Sequence, residues 1–349
     1  MILVYGGLLL LFFLQPNTKQ HIMNKKWFCI VSAVFLFIIA AIRDLNYGDL
    51  YNYKASYNSL GHRSYSSMFD AWISNDLKDF GFYAFSKILA DFGVSADVWI
   101  LTISAIFVVL CSIYLYKYAE QPYIGLVTML SLFYIFTFTG LRQAISLGIS
   151  FLSYSFISRK KPISFIVSVL IASLFHSSAL VLLPAYLIAK MKIGLKQPVL
   201  VLLSVSIALL FPNFIRNVIT IFAWNDSLEQ YVDRDITLSW AGFIIQLAIW
   251  LFCLYFRRRI NENNDYKYAY IDCLINLLTI GLCLQCFAVN IAEVFRLSYY
   301  YSFCVIALIP NIIEKQTEFK DSTIVQLFVP ALLVANMLRA DMYFDLLYF

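Results

Sequence analysis

Arg142 and Gln143 stand together between two apolar runs, 130–138 and 144–157. An arginine carries five N–H donors in a planar fork that matches phosphate oxygens. The neighbouring amide can bind a sugar hydroxyl or hold the arginine. His176, in Phe175-His176-Ser177-Ser178, is also bracketed by apolar sequence. An imidazole in such a place serves as base, acid or phosphate donor. Arg43 opens the stretch Arg43-Asp44-Leu45-Asn46-Tyr47-Gly48-Asp49-Leu50-Tyr51-Asn52-Tyr53. Asp49 and Tyr53 share a face if that stretch winds into a helix. Glu293 and Arg296 are spaced to pair, and Tyr299, Tyr300 and Tyr301 follow them. Each place also has a plainer role. These are an interfacial anchor at Arg43, a snorkelling arginine at Arg142, a core histidine at 176 and a structural ion pair at Glu293–Arg296. Arg216, Arg234 and Arg339 read as belt and loop charges.

The elements that must position these residues follow from composition. The chain has 349 residues, 61% apolar and 13% charged. A soluble domain is roughly half apolar and about a quarter charged. One soluble globule cannot hide this much apolar side chain, and a disordered chain or a disulfide scaffold is excluded with it. The expectation is an all-α polytopic transmembrane bundle forming one membrane domain over residues 1–349. Twelve spans are predicted, near 1–14, 27–42, 98–116, 123–139, 142–157, 163–175, 177–190, 197–213, 240–256, 268–289, 296–313 and 323–338. Several fall short of the roughly 20 residues that cross hydrocarbon, so tilt or bilayer thinning must compensate. A GT-C-like architecture is compatible with this pattern.

Charge sets the predicted orientation. With the N-terminus outside, sixteen of the 26 basic residues fall in the inner loops, with only seven of the 21 acidic ones. They include Lys25, Lys26, Lys117, Arg159, Lys160, Lys161, Lys190 and Arg257. This is the positive-inside bias, and it places both termini outside. A net charge of +5 so arranged gives no reason to expect a nucleic-acid partner. Residues 1–14 lack a basic flank before them and do not read as a cleavable signal. Two long segments, 43–97 and 212–239, lie outside and are expected to frame a cavity. Within the first, 80–92 is apolar but too short to cross, and reads as a re-entrant or interfacial helix. The arms either side of His176 hold about 13 residues each, or about 20 Å of helix. That puts His176 at the floor of an outward-open cavity.

Arg43, Arg142, His176 and Arg296 thus form an outward cationic set, with Asp49, Asp79 and Glu293 as acids on the same side. Aromatic residues, 17% of the chain, supply flat faces for sugar rings. Such a cavity suits an anionic lipid-linked sugar. No signature for ATP, dinucleotide or zinc chemistry is present, and no metal or cofactor is expected. Seven cysteines scattered through apolar runs are no disulfide framework.

The spaced set resembles the EpsG family of Wzy-type exopolysaccharide and capsule polymerases. The resemblance runs through Arg43…Gly48-Asp49…Tyr53, then Asp79-Phe80-Gly81-Phe82, then Leu141-Arg142-Gln143-Ala144-Ile145. It continues in Phe175-His176-Ser177-Ser178-Ala179-Leu180 with Pro184, and in Arg296 with Tyr300. It departs where the family often has an acid–proline pair, here Asp79-Phe80. The resemblance implies a bacterial plasma-membrane glycosyltransferase that joins oligosaccharide units carried on undecaprenyl pyrophosphate, at the outer face. It also suggests a chain-length regulator as partner. On that footing Arg142 and Arg296 are expected at the pyrophosphate with Arg43 as a third contact, and Asp49 or His176 as base. Tyr53, Gln143, Glu293 and Tyr300 are expected to contact substrate. The competing classes are a lipid-linked oligosaccharide flippase and a membrane O-acyltransferase. The first calls for two related halves and the second for an inner donor site, and neither is visible.

Overall fold

The structure is a computed structural model that describes residues 2–15, 24–46, 49–74, 76–212, 240–258, 266–291 and 294–315. These fold into helices α1 (Ile2–Leu14), α2 (Lys25–Ala41), α3 (Asp49–Leu60), α4 (Tyr65–Ile73), α5 (Phe80–Asp91), α6 (Ala96–Tyr118), α7 (Pro122–Leu132) and α8 (Tyr134–Thr139). Then come α9 (Leu141–Ser158), α10 (Pro162–Phe175), a 3-10 turn (Ser177–Leu182), α11 (Ala185–Ile188) and α12 (Lys196–Leu210). After them follow α13 (Ala241–Arg257), α14 (Tyr266–Phe287), α15 (Val294–Ser302) and α16 (Val305–Lys315). No strand occurs among the described residues. An apolar chain in hydrocarbon must satisfy its own backbone groups, and the helix does so within one segment. Local signals set the starts. The Ser64 and Ser95 side chains accept backbone N–H groups at the heads of α4 and α6. Pro122 and Pro162 occupy first-turn positions in α7 and α10.

Among the described residues three helical stretches are long and apolar enough to cross a membrane: Ala96–Tyr118, Ala269–Phe287 and Val294–Lys315. Shorter apolar helices of 10–17 residues accompany them, so the chain is a helical membrane protein. The twelve predicted spans are not all single helices. Run 123–139 breaks at Phe133, whose φ of −134° leaves the helical range, giving α7 and α8. Run 177–190 divides into the 3-10 turn and α11 at Pro184, which has no N–H to donate. Run 323–338 and nearly all of the outer segment 212–239 lie outside the described residues.

The bundle has two distinguishable ends. Lys25 lies over the Tyr116 ring, and the Tyr118 hydroxyl donates to Ser155 Oγ. Asn311 binds the Tyr118 carbonyl and the Glu120 N–H, and Gln121 donates to Glu314. The basic turns at Lys25, Lys117, Arg159 and Lys315 are therefore gathered at one end. Arg142 begins α9, whose 18 residues carry it about 27 Å away, to the other end.

Segment 43–97 builds three short helices there, not only the one expected at 80–92. They have a core of their own, in which Leu50, Tyr57, Met68 and Phe82 pack against Trp99, Ile103, Leu141 and Ile145. Tyr57 stacks on Trp99 at 4.5 Å, and Trp99 Nε1 donates to Ser86 Oγ. This small core fixes α3 and α5 against the heads of α6 and α9.

Candidate active site

A cavity of about 400 Å³ opens where these layers meet. Asp49, Asn52, Tyr53 and Ser56 supply one wall, spaced along one face of α3. Leu50 and Tyr57 on the same helix turn into the core instead. Tyr83 of α5, the α8–α9 junction through Gln143, His176 and Arg296 complete the lining.

Asp79 is the hub of this region. Its side chain is 2% exposed. Oδ2 takes Arg142 Nη1 at 2.9 Å and faces His176 Nδ1 at 3.1 Å, while Oδ1 accepts the Ser177 N–H at 2.8 Å. Arg142 Nε also donates to the Tyr53 hydroxyl at 3.3 Å. Two of the arginine's nitrogens are thus tied down, and Nη2 keeps no partner among the described residues. Burial alone would push the Asp79 carboxyl up. The bond and charge of His176, the charge of Arg142 and the Ser177 N–H outweigh it and hold the group below its ordinary value. A depressed carboxyl stabilises the fold above its unfolded value, about pH 4, and that stability is lost as pH falls through the lower folded value. The melting temperature in detergent should therefore fall below about pH 4. Asp79→Asn should start lower and show a flatter acid limb.

The backbone reaches this arrangement through two local features. Asp79 adopts a left-handed conformation, φ 58° and ψ 49°, a region aspartate tolerates better than most residues. Its carbonyl accepts the Phe82 and Tyr83 N–H groups, starting α5. Gly81 then lets α5 approach α10 closely. A Cβ there would lie 2.7 Å from Leu174 Cβ and 2.9 Å from the Leu174 carbonyl oxygen. Gly81→Ala should push α5 off α10, with a cost of about 1–3 kcal/mol. It should also weaken activity, because Asp79 moves with α5 and His176 with α10. Chemical denaturation and product yield would check both effects.

The other expected site residues divide. Asp49, Tyr53, Arg142, Gln143, His176 and Arg296 all line the cavity. Gln143 is buried and donates to the Arg296 carbonyl at 2.7 Å, so its amide also locks α15 to α9. Arg296 Nε is buried with no hydrogen-bond partner among the described residues. Two expectations meet a different placement. Tyr300 is fully buried, because its hydroxyl turns inward to Ser146 Oγ, which in turn binds the Ala172 carbonyl behind His176. Arg43 is buried too, drawn to Ser104 Oγ at 3.0 Å and over the Phe138 ring, outside the main cavity lining. Glu293 lies outside the described residues. Asp79 is the residue that spacing alone did not single out. The available signal was an acid standing directly before Phe80-Gly81-Phe82, at the head of an apolar stretch, but its partners are distant in the chain.

Among the described residues no cluster of three or more His, Cys, Asp or Glu side chains is placed to hold a metal. Arg142, Arg296 and His176 instead offer N–H and imidazole groups to an anion. Neither the curated proteins nor the solved structures contain a match to this chain. A family model does match, that of the EpsG family, over residues 26–347. That is nearly the whole sequence and takes in every element of the cavity, and the chain belongs to the EpsG family.

Proposed function

We propose that this chain joins oligosaccharide units carried on undecaprenyl pyrophosphate, at the outer face of a bacterial plasma membrane. The EpsG family implies a Wzy-like polysaccharide polymerase role. The observation that carries the finer reading is the shared Asp79 carboxylate, which aims Arg142 and His176 together into a cavity that also holds Arg296. Fixed cations are what a departing pyrophosphate needs, since its charge grows in the transition state. The gathering of basic turns at the opposite end supports an outward cavity.

In this reading a hydroxyl of the acceptor unit attacks the anomeric carbon of the growing chain. The new C–O bond forms as the bond to the pyrophosphate oxygen breaks, with inversion. The bonding pair leaves with the lipid pyrophosphate, which Arg142 and Arg296 stabilise. Inversion puts the base on the face away from the leaving group. His176 shares Asp79 Oδ2 with Arg142 and so belongs to the leaving-group side. Asp49, on α3, is left to take the acceptor proton. The pyrophosphate linkage supplies the energy, so no ATP is used. Gln143 and Tyr53 hold the two arginines in place, and the lipid tail stays in the bilayer.

The test is incubation of the purified protein in detergent with lipid-linked units. A ladder of longer lipid-linked chains is expected. Absence of a ladder, with translocation of the units in vesicles, would make it a flippase.

A further inference from the structure

The α3 wall of the cavity differs chemically from the rest. Asp49, Asn52 and Ser56 lie on one face of α3, and all three line the cavity. None of their side chains is bonded to another described residue, and Asn52 is exposed. Tyr53 and Tyr83 bring aromatic rings to the same region. An amide and a hydroxyl together offer both donors and acceptors without charge. The one charged group on this wall, the Asp49 carboxylate, repels a phosphate. A neutral polyol fits instead, since each of its hydroxyls donates and accepts while its C–H face packs on a ring.

We infer that this wall is a saccharide subsite, in which Asn52 and Ser56 bind hydroxyls of the acceptor sugar and so select it. The word acceptor rests on the function proposed above; the binding of a sugar does not. The subsite leaves the acceptor hydroxyl beside Asp49, one helical turn from Asn52. A hydrogen bond made to a substrate hydroxyl also discriminates against a sugar lacking it, because the protein group is then left unpaired.

Two probes separate the walls without turnover. One is the oligosaccharide released by mild acid from the lipid-linked units of a strain lacking this chain. The other is inorganic pyrophosphate. Both are titrated calorimetrically into the full chain in detergent. A neutral hydrogen bond is worth up to about tenfold in affinity. Asn52→Ala combined with Ser56→Val should weaken oligosaccharide binding by about tenfold or more and leave pyrophosphate binding unchanged. Arg142→Ala should do the reverse. Asn52→Ala alone, at an exposed position, should keep the melting temperature and lose part of the affinity. Unchanged oligosaccharide affinity in the double variant overturns the subsite, as does failure of the unaltered chain to bind the oligosaccharide. Selective loss of oligosaccharide binding in a chain that builds no ladder keeps the subsite and sinks the polymerase reading.

Discussion

Arg142→Ala is expected to leave single repeat units on their lipid carrier and to yield no polymer. Arg142 is held at two nitrogens, by Asp79 and Tyr53, which leaves one nitrogen for a ligand oxygen. Removing one preorganised donor aimed at developing charge costs roughly a hundred- to a thousandfold in rate. Arg142→Lys restores the charge but not the planar fork, so it should recover only part of the loss. The measurement is a gel of lipid-linked products from cells carrying each variant. Polymer of ordinary length and amount from Arg142→Ala would remove this residue from the chemistry.

Asp79→Asn is expected to have an effect of similar size by a different route. In the proposed mechanism the carboxylate contacts no substrate and holds two groups that do. Its amide analogue keeps the shape but leaves the Arg142 and His176 side chains without their shared counter-charge. Breaking a buried ion pair by removing one partner destabilises by about 3–5 kcal/mol. Product yield should fall at least about a hundredfold, because misplacement of a reacting group by an ångström costs that much. A lower melting temperature alone would not distinguish support from catalysis. Inorganic pyrophosphate provides the distinction. An anion can take the place of the missing carboxylate, so it should raise the melting temperature of Asp79→Asn more than that of the unaltered chain. Ordinary polymer yield from Asp79→Asn would remove the hub from the mechanism.

Much of the site was legible in the sequence because ionisable residues are rare in apolar runs. Arg142, His176 and Arg296 were singled out by that rarity, Gln143 by standing beside Arg142, and Asp49 and Tyr53 by their four-residue spacing; all six line one cavity. What stayed hidden was which way each side chain turns. Tyr300 and Arg43 turn into the bundle, where each donates a hydrogen bond, to Ser146 and to Ser104, and neither bond is visible from spacing. Asp79 lies 63 residues from Arg142 and 97 from His176, so its central position arises only when α5 meets α10. The helical class followed from composition. The division into crossings did not, because Phe133 and Pro184 interrupt apolar runs that hydropathy alone reads as continuous.

The two halves of the cavity are built to different tolerances. Asp79 answers to three partners on two separate stretches of chain, Arg142 and the adjacent pair His176 and Ser177, so a change there is felt by all of them. Asn52 and Ser56 answer to none. Substitutions at those two positions disturb no existing bond, and they pass through selection at little cost to the fold. Descendants of such a protein can therefore diversify what they accept while inheriting the charged centre intact.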